Sequence, residues 1–225
     1  MNIYRLLSAL LAYPDEHLKA AVPEVRQVLA AHSLAEEMLE PLLQEISQQD
    51  LITLQENYVA TFDRVPSLAL HLFEHIHGES RDRGQAMVDL LEEYKRHGFE
   101  PQNSELPDYV PLFLEFLSLI DVDSAEKMLG DAIHVIAAIG IRLQQRNNPY
   151  ANAFLLLTAY TEVIPREQGE PPVRDMDDAM ETFGPGADGI EPLLKPIAPA
   201  VQAVHFYPSS GRSAHGQAGL SGRES

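Results

Sequence analysis

Apolar positions recur along this chain at the three-and-four spacing of one helical face, from the N-terminus to about residue 164. Ile3, Leu6, Leu7, Leu10 and Leu11 form the first stripe, which Pro14 stops. Tyr13, just before that proline, is pushed towards extended backbone. Leu18, Val22, Val25, Val28 and Leu29 mark a second helix, with Pro23 expected to interrupt it near Val22. Ser33-Leu34-Ala35-Glu36 has the form of a capping box and starts a third helix, through about Gln48. Asp50 is placed to cap a fourth, with Leu51, Leu54, Tyr58, Val59 and Phe62 inward and an end near Asp63, ahead of Pro66.

The rhythm continues beyond Pro66. A short apolar helix is expected from Leu68 to His77, closed by Gly78. A longer one runs from Arg83 to His97, with Met87, Leu90, Leu91 and Tyr94 inward and Gly98 as its stop. Pro107 and Asp108 look like the start of the next, with Val110, Phe113, Leu114 and Leu117 in its core face. Asp123-Ser124-Ala125-Glu126 offers a capping box for a helix through about Gln145, whose middle is almost wholly apolar and therefore central. Pro149 suits the first turn of a last helix, to about Val163. No hairpin dipeptide sits between alternating apolar runs, and no fixed-period repeat is visible. The pattern predicts an all-α fold: a single-domain helical bundle of about nine helices over residues 1–164.

After Ile164 the composition changes. Half of the 16 prolines and more than half of the 13 glycines fall in this last quarter of the chain. Residues 165–225 are read as an acidic, Pro/Gly-rich, largely flexible tail, because such a segment buries too little apolar surface to offset its ordering entropy. Within it, Leu193 to Tyr207 regains apolar positions and is a candidate to dock back on the helices.

Charge narrows the partner. The formal net charge is −18. Nucleic-acid binding is driven by neutralising phosphates, so this chain is poorly suited to it, whereas a basic partner would be steered in. There is no cysteine, which removes disulfides and thiolate chemistry and suits a cytoplasmic setting. The short apolar N-terminal run reads as an amphipathic helix rather than a signal peptide, and direct membrane insertion is not expected.

Two polar connections stand out, at His77 to Gly84 and at Gly98 to Tyr109. Between the helices they join lies His71-Leu72-Phe73-Glu74-His75, an H-x-x-E-H pattern. On one continuous helix, His71 and His75 would share a face and could hold zinc with Glu74 as base; a zinc-dependent hydrolase is therefore the alternative reading. No second segment announces a third ligand. Walker-type glycine loops and the Gly-x-Ser-x-Gly elbow are absent. In the second connection, Glu105-Leu106-Pro107-Asp108-Tyr109 sets two carboxylates at an expected helix start. Capping by Asp108 is one reading. The other is an acidic lip beside an apolar groove, taking an amphipathic basic peptide as a helix.

Tyr58-Val59-Ala60-Thr61-Phe62-Asp63, Leu70-His71-Leu72-Phe73-Glu74-His75-Ile76-His77-Gly78-Glu79-Ser80-Arg81-Asp82-Arg83-Gly84 and Glu105-Leu106-Pro107-Asp108-Tyr109 together resemble the NarJ-type nitrate reductase molybdenum cofactor assembly chaperones. Tyr109 stands where the broader TorD/DmsD-like pattern has a histidine. The resemblance implies a cytoplasmic, non-enzymatic chaperone with no cofactor or metal of its own. Its partner would be the N-terminal peptide of the nitrate reductase catalytic (alpha) subunit, held until that subunit receives molybdenum cofactor and can dock at the membrane. On this reading the peptide surface comprises Tyr58, Phe62, Asp63, His71, His75, Glu105, Pro107, Asp108, Tyr109, Phe113 and Glu115, with Phe116 as a further wall. His77, Gly78, Arg81, Arg83 and Gly84 would organise the first connection, the arginines pairing with Glu79, Asp82 or helix-end carbonyls. Clustering of His71, His75 and His77 adds the expectation of pH-dependent affinity near neutrality.

Overall fold

A computed structural model describes residues 2–78, 81–102 and 105–166. The tail from 167, including the docking candidate at 193–207, lies outside the described residues. Nine α-helices are formed among the described residues: α1 Ile3–Leu11, α2 Glu16–Leu29, α3 Ser33–Gln48, α4 Leu51–Tyr58, α5 Leu72–His77, α6 Arg81–Arg96, α7 Val110–Leu117, α8 Val122–Gln145 and α9 Ala151–Leu155. A π turn, Val59–Asp63, extends α4; 3-10 turns cover Pro66–Leu68 and Leu156–Tyr160. The fold is all-α, as the periodicity predicts, with one isolated antiparallel bridge between His71 and Tyr109.

The longest apolar stripe takes the centre. α8 buries twelve of its 24 residues, among them Leu129, Ile133, Ile136 and Ile139. α9 and the turn after it pack along α8, and α5, α7 and the Pro66–Leu68 turn also reach it. α1 lies on α7, and α2 pairs with α3. Burying Ile3, Leu7, Leu10 and Leu11 of α1 contributes about 1.5–3 kcal/mol per side chain before entropy is counted. Polar contacts fix its orientation: Asn2 Nδ2 donates to Ser118 O (2.8 Å) and Ser8 Oγ to Pro111 O (2.7 Å).

Caps account for most of the boundaries, and several differ from expectation. Asp15 and Asp50 cap α2 and α4 through the amides of Leu18 and Thr53. α8 is capped by Asp121 through Ser124 N (2.9 Å), not by a box at Asp123. α3 begins with Ser33 already helical and His32 at the cap without a side-chain bond, so the expected capping box does not form. Pro23 does not interrupt α2. It is exposed, so the carbonyl it leaves unbonded one turn earlier faces the water side of the helix. The Leu68–His77 helix is broken: Ala69 and His71 are extended, and only Leu72–His77 is α-helical. α6 begins at Arg81 rather than Arg83. The last helix tightens into a 3-10 turn at Leu156 and ends at Tyr160.

α8 and α9 approach closely at Gly140, where a Cβ would stand 3.0 Å from Leu155 Cδ2 and from Phe154 Cβ. Gly140→Val is expected to cost about 2–3 kcal/mol by overpacking, in spite of glycine's poor helix propensity. Urea denaturation checks this, and a midpoint at or above that of the parent chain would contradict it.

Candidate functional site

The second connection folds back onto the break in front of α5. Val110 N donates to Leu70 O (2.8 Å) and Leu72 N to Asp108 O (3.0 Å), closing the bridge at His71 and Tyr109. The turn itself is held by Tyr109 N donating to Leu106 O (3.1 Å). From α6, the Tyr94 hydroxyl donates to Pro107 O (2.6 Å). Five elements thus meet at a few residues: the break, α5, α6, the turn and α7.

Asp108 is the polar group at this crossing. Its side chain is fully buried. Oδ2 accepts from Phe73 N (3.0 Å), in the first turn of α5, and Oδ1 lies a long 3.4 Å from His71 Nδ1. Asp108 therefore serves the N-terminus of α5, a helix remote in sequence, and neither caps α7 nor forms part of an exposed lip. Sequence reasoning placed it at the helix that follows because capping is usually local.

The aromatic walls resolve into two groups. Tyr58, Phe62 and Phe113 are buried to 3% exposure or less, and Phe116 fully, so these rings are core. Tyr58 donates to Leu11 O (2.8 Å), which leaves Tyr109 as the donor in the 3.1 Å contact between the two hydroxyls. Burial is the main cause raising both phenols, and the carboxylates of Asp63 and Glu105 raise Tyr109 further. Tyr109 is half-buried and tilted against the His71 ring, with centroids 5.5 Å apart. Tyr13 is 50% exposed and meets Tyr58 edge-on at 5.4 Å. The accessible surface is therefore made by Tyr13, His71 and Tyr109, with exposed Asp63 and Glu105 close enough to act on Tyr109. Tyr13 was not anticipated; its position before Pro14 hints at an extended residue but not at this ring contact. Pro107 is half-buried in the turn, and Glu115 is exposed on α7 with no described contact to this surface.

The H-x-x-E-H residues diverge. His71 has extended backbone before α5, so it does not share a helical face with His75. His75 Nε2 donates to Ala69 O (2.8 Å), and Glu74 is paired with Arg83 (3.0 Å). The helical zinc-site geometry expected from the pattern is not formed. No group of three His, Cys, Asp or Glu side chains is arranged to hold a metal among the described residues. In the first connection, Arg83 bridges back to α5 by donating to Glu74 (3.0 Å), while Glu79 lies outside the described residues. Gly78 closes α5 with φ 55°, a conformation that favours glycine. His77 meets Phe73 edge-on at 6.0 Å. Arg81 is exposed in the first turn of α6, and Gly84 has open space around it, so nothing local requires a glycine there.

What these contacts make is a surface of aromatic and acidic groups carried by the connections of an all-α fold. The fold is shared with a crystal structure from Archaeoglobus fulgidus, assigned provisionally as a redox enzyme maturation protein (TM-score 0.51, 22% identity, covering 70% of this chain and 88% of that one). The chain belongs to the nitrate reductase delta subunit family, which matches residues 15–155. It is 42% identical over 156 residues to a protein of Escherichia coli (strain K12) named nitrate reductase molybdenum cofactor assembly chaperone NarJ, covering 68% of this chain. It spans 66% of that relative's length. A Bacillus subtilis (strain 168) protein named provisionally in the same way is 30% identical over 164 residues, covering 72% of this chain and 89% of its own. Among the described residues no helix is long and apolar enough to cross a membrane.

Two outcomes test the crossing. Asp108→Ala leaves the Phe73 amide without its acceptor and is expected to cost about 1–3 kcal/mol, with Asp108→Asn costing less because one acceptor remains; equal losses in chemical denaturation would contradict this role. Burial lowers His75 to about 4, with its Nδ1 buried and unbonded. Between about pH 6.5 and 4 the unfolded chain takes up a proton there that the folded chain excludes. Stability from this group is full above that window and is lost as the pH falls through it. His75→Gln should flatten the stability–pH curve in this range, and an unchanged slope would acquit His75.

Proposed function

We propose that this chain is a dedicated chaperone that binds the N-terminal segment of the catalytic subunit of nitrate reductase and holds it competent for molybdenum cofactor insertion and later membrane docking. The observation that carries the reading is family membership together with the 42% identity to a relative of that chaperone description. The chain performs no covalent step in this reading; the partner receives the cofactor.

The site physics supports a basic, amphipathic ligand. A net charge of −18 steers such a segment inward from a distance. Asp63 and Glu105, rather than Glu105 and Asp108, are the acidic pair at the mouth, since Asp108 is buried. Tyr13, His71 and Tyr109 supply ring faces and edges on which an apolar or cationic side chain can settle. Tyr58 acts from below, meeting Tyr13 edge-on and sharing a hydroxyl contact with Tyr109, and Phe62 packs against Tyr58 in turn. Apolar burial supplies affinity at about 25 cal/mol per Å² before ordering costs, and the carboxylates choose the partner.

Calorimetry with a synthetic N-terminal segment of the catalytic subunit checks this. The double variant Asp63→Asn with Glu105→Gln should bind about tenfold more weakly and with a shallower salt dependence. Unchanged affinity would remove the acidic mouth. Failure to capture the apo catalytic subunit from cells lacking molybdenum cofactor would remove the chaperone reading itself.

A further inference from the structure

Residues 161–166 run as a strap along α8. At Gly130 a Cβ would stand 2.8 Å from Val163 Cγ2 and 3.2 Å from Thr161 Oγ1, so the missing side chain lets the strap lie close. One turn further on, Arg166 N donates to His134 Nδ1 (3.0 Å). The chain is therefore tied to α8 where residue 167 begins, heading towards the C-terminal end of that helix. From His134 to Arg142 is about 12 Å of helix. Arg142 donates to Ser67 O (3.2 Å) and its charge acts on His75, on which His71 of the mouth also acts. The tail thus leaves the body on a course towards α5 and the Tyr109 surface beside it.

The sequence beyond the strap has two parts of opposite character. Residues 167–191 hold eight acids against one base, Arg174. Residues 192–223 hold no acid, and their bases are Lys195, Arg212 and Arg223. Apolar side chains gather at the start of this second part, with Leu193, Leu194, Ile197, Val201, Val204 and Phe206. In a chain of net charge −18, that is a ligand of the class the mouth suits: apolar, with cations and no anion. The acidic first part is repelled by exposed Asp63 and Glu105 and does not fit. Residues 167–192 can span up to about 90 Å when extended, against a radius of gyration of about 15 Å for a body of this size, so the mouth is within reach. Pro196 and Pro199 restrict the free chain, which lowers the entropy lost when the segment settles.

We propose that residues 193–207 occupy the Tyr109 mouth of their own chain and have to be displaced by the incoming segment of the catalytic subunit. Lys195 pairs with Asp63 or Glu105, and the apolar side chains settle on Tyr13 and Tyr109. The inference rests on the reading of that mouth as a peptide surface. Its consequence is selectivity. An occupant present about nine-tenths of the time weakens every competing ligand about tenfold, so only a tightly bound segment still fills the mouth.

The chain has no cysteine, so Ala203→Cys carries a single nitroxide spin label on the full chain. Nuclear magnetic resonance should then show broadened backbone amides at Tyr13, His71 and Tyr109, and the broadening should vanish when Ile197→Ser, Val201→Ser and Phe206→Ser are added. These substitutions keep the charge, so steering of a basic ligand is unaltered. The unlabelled serine variant should bind the synthetic catalytic-subunit segment at least about threefold more tightly than the parent chain in calorimetry. No broadening at the mouth, broadening centred instead on exposed Leu119 and Val122, or equal affinity of parent and serine variant would each overturn the proposal. So would equal broadening of unlabelled molecules mixed with labelled ones, which would put a second copy's tail in the mouth. The label is read with no partner present, so the two readings fail separately. Broadening with no binding of the segment by either chain removes the catalytic-subunit reading alone; binding without broadening removes the occupant alone.

Discussion

A carboxylate sits where an otherwise apolar core has to be crossed by bare backbone. The segment before α5 is extended, so its amides and carbonyls lack helical partners, and a buried unpaired amide costs about 1–3 kcal/mol. Asp108 and its neighbours satisfy them: Leu72 N, Phe73 N and Leu70 O all bond to residues 108–110. The rest follows from that exchange. It places His71 against Tyr109, and it sets the Pro107 carbonyl where Tyr94 of α6 can reach it. It also brings the start of α7 beside α5, and α7 is the surface on which α1 lies.

A chain of tyrosines carries the arrangement outward. The contacts run from Leu11 O through Tyr58 to Tyr109, joining the end of α1 to α4 and to the turn before α7. Tyr58 also meets Phe62, Tyr150 and Tyr13 edge-on, so one buried ring positions an exposed one. The rings that line the mouth are thus rigid because rings beneath them are packed. A surface of this kind loses little entropy when a ligand settles on it, which suits recognition of a flexible segment that must itself be ordered. The acidic groups there are open to solvent by comparison: Asp63 and Glu105 are exposed.

Much of this was legible in the chain. Helix positions follow from the period of apolar residues, because one buried stripe per helix is what a bundle requires. The start of α4 after Asp50 and the ends of α6 before Gly98 and of α8 at Gln145 fall within a residue or two of expectation. The family resemblance rested on contiguous motifs, and contiguous motifs survive without a structure. The failures share one cause. Local sterics predict a break at Pro23, whereas its exposed face lets the helix continue. Apolar spacing predicts one helix from His71 to His75, whereas a partner from residues 108–110 holds His71 extended.

The sequence by itself determined the elements, the acidic character and the family, since each depends on composition, on period or on residues adjacent in the chain. Tertiary structure alone decided that Asp108 lies inside and Asp63 outside, and that His71 and His75 point to different partners. Those are contacts between segments tens of residues apart, and a one-dimensional pattern carries no distance across the fold.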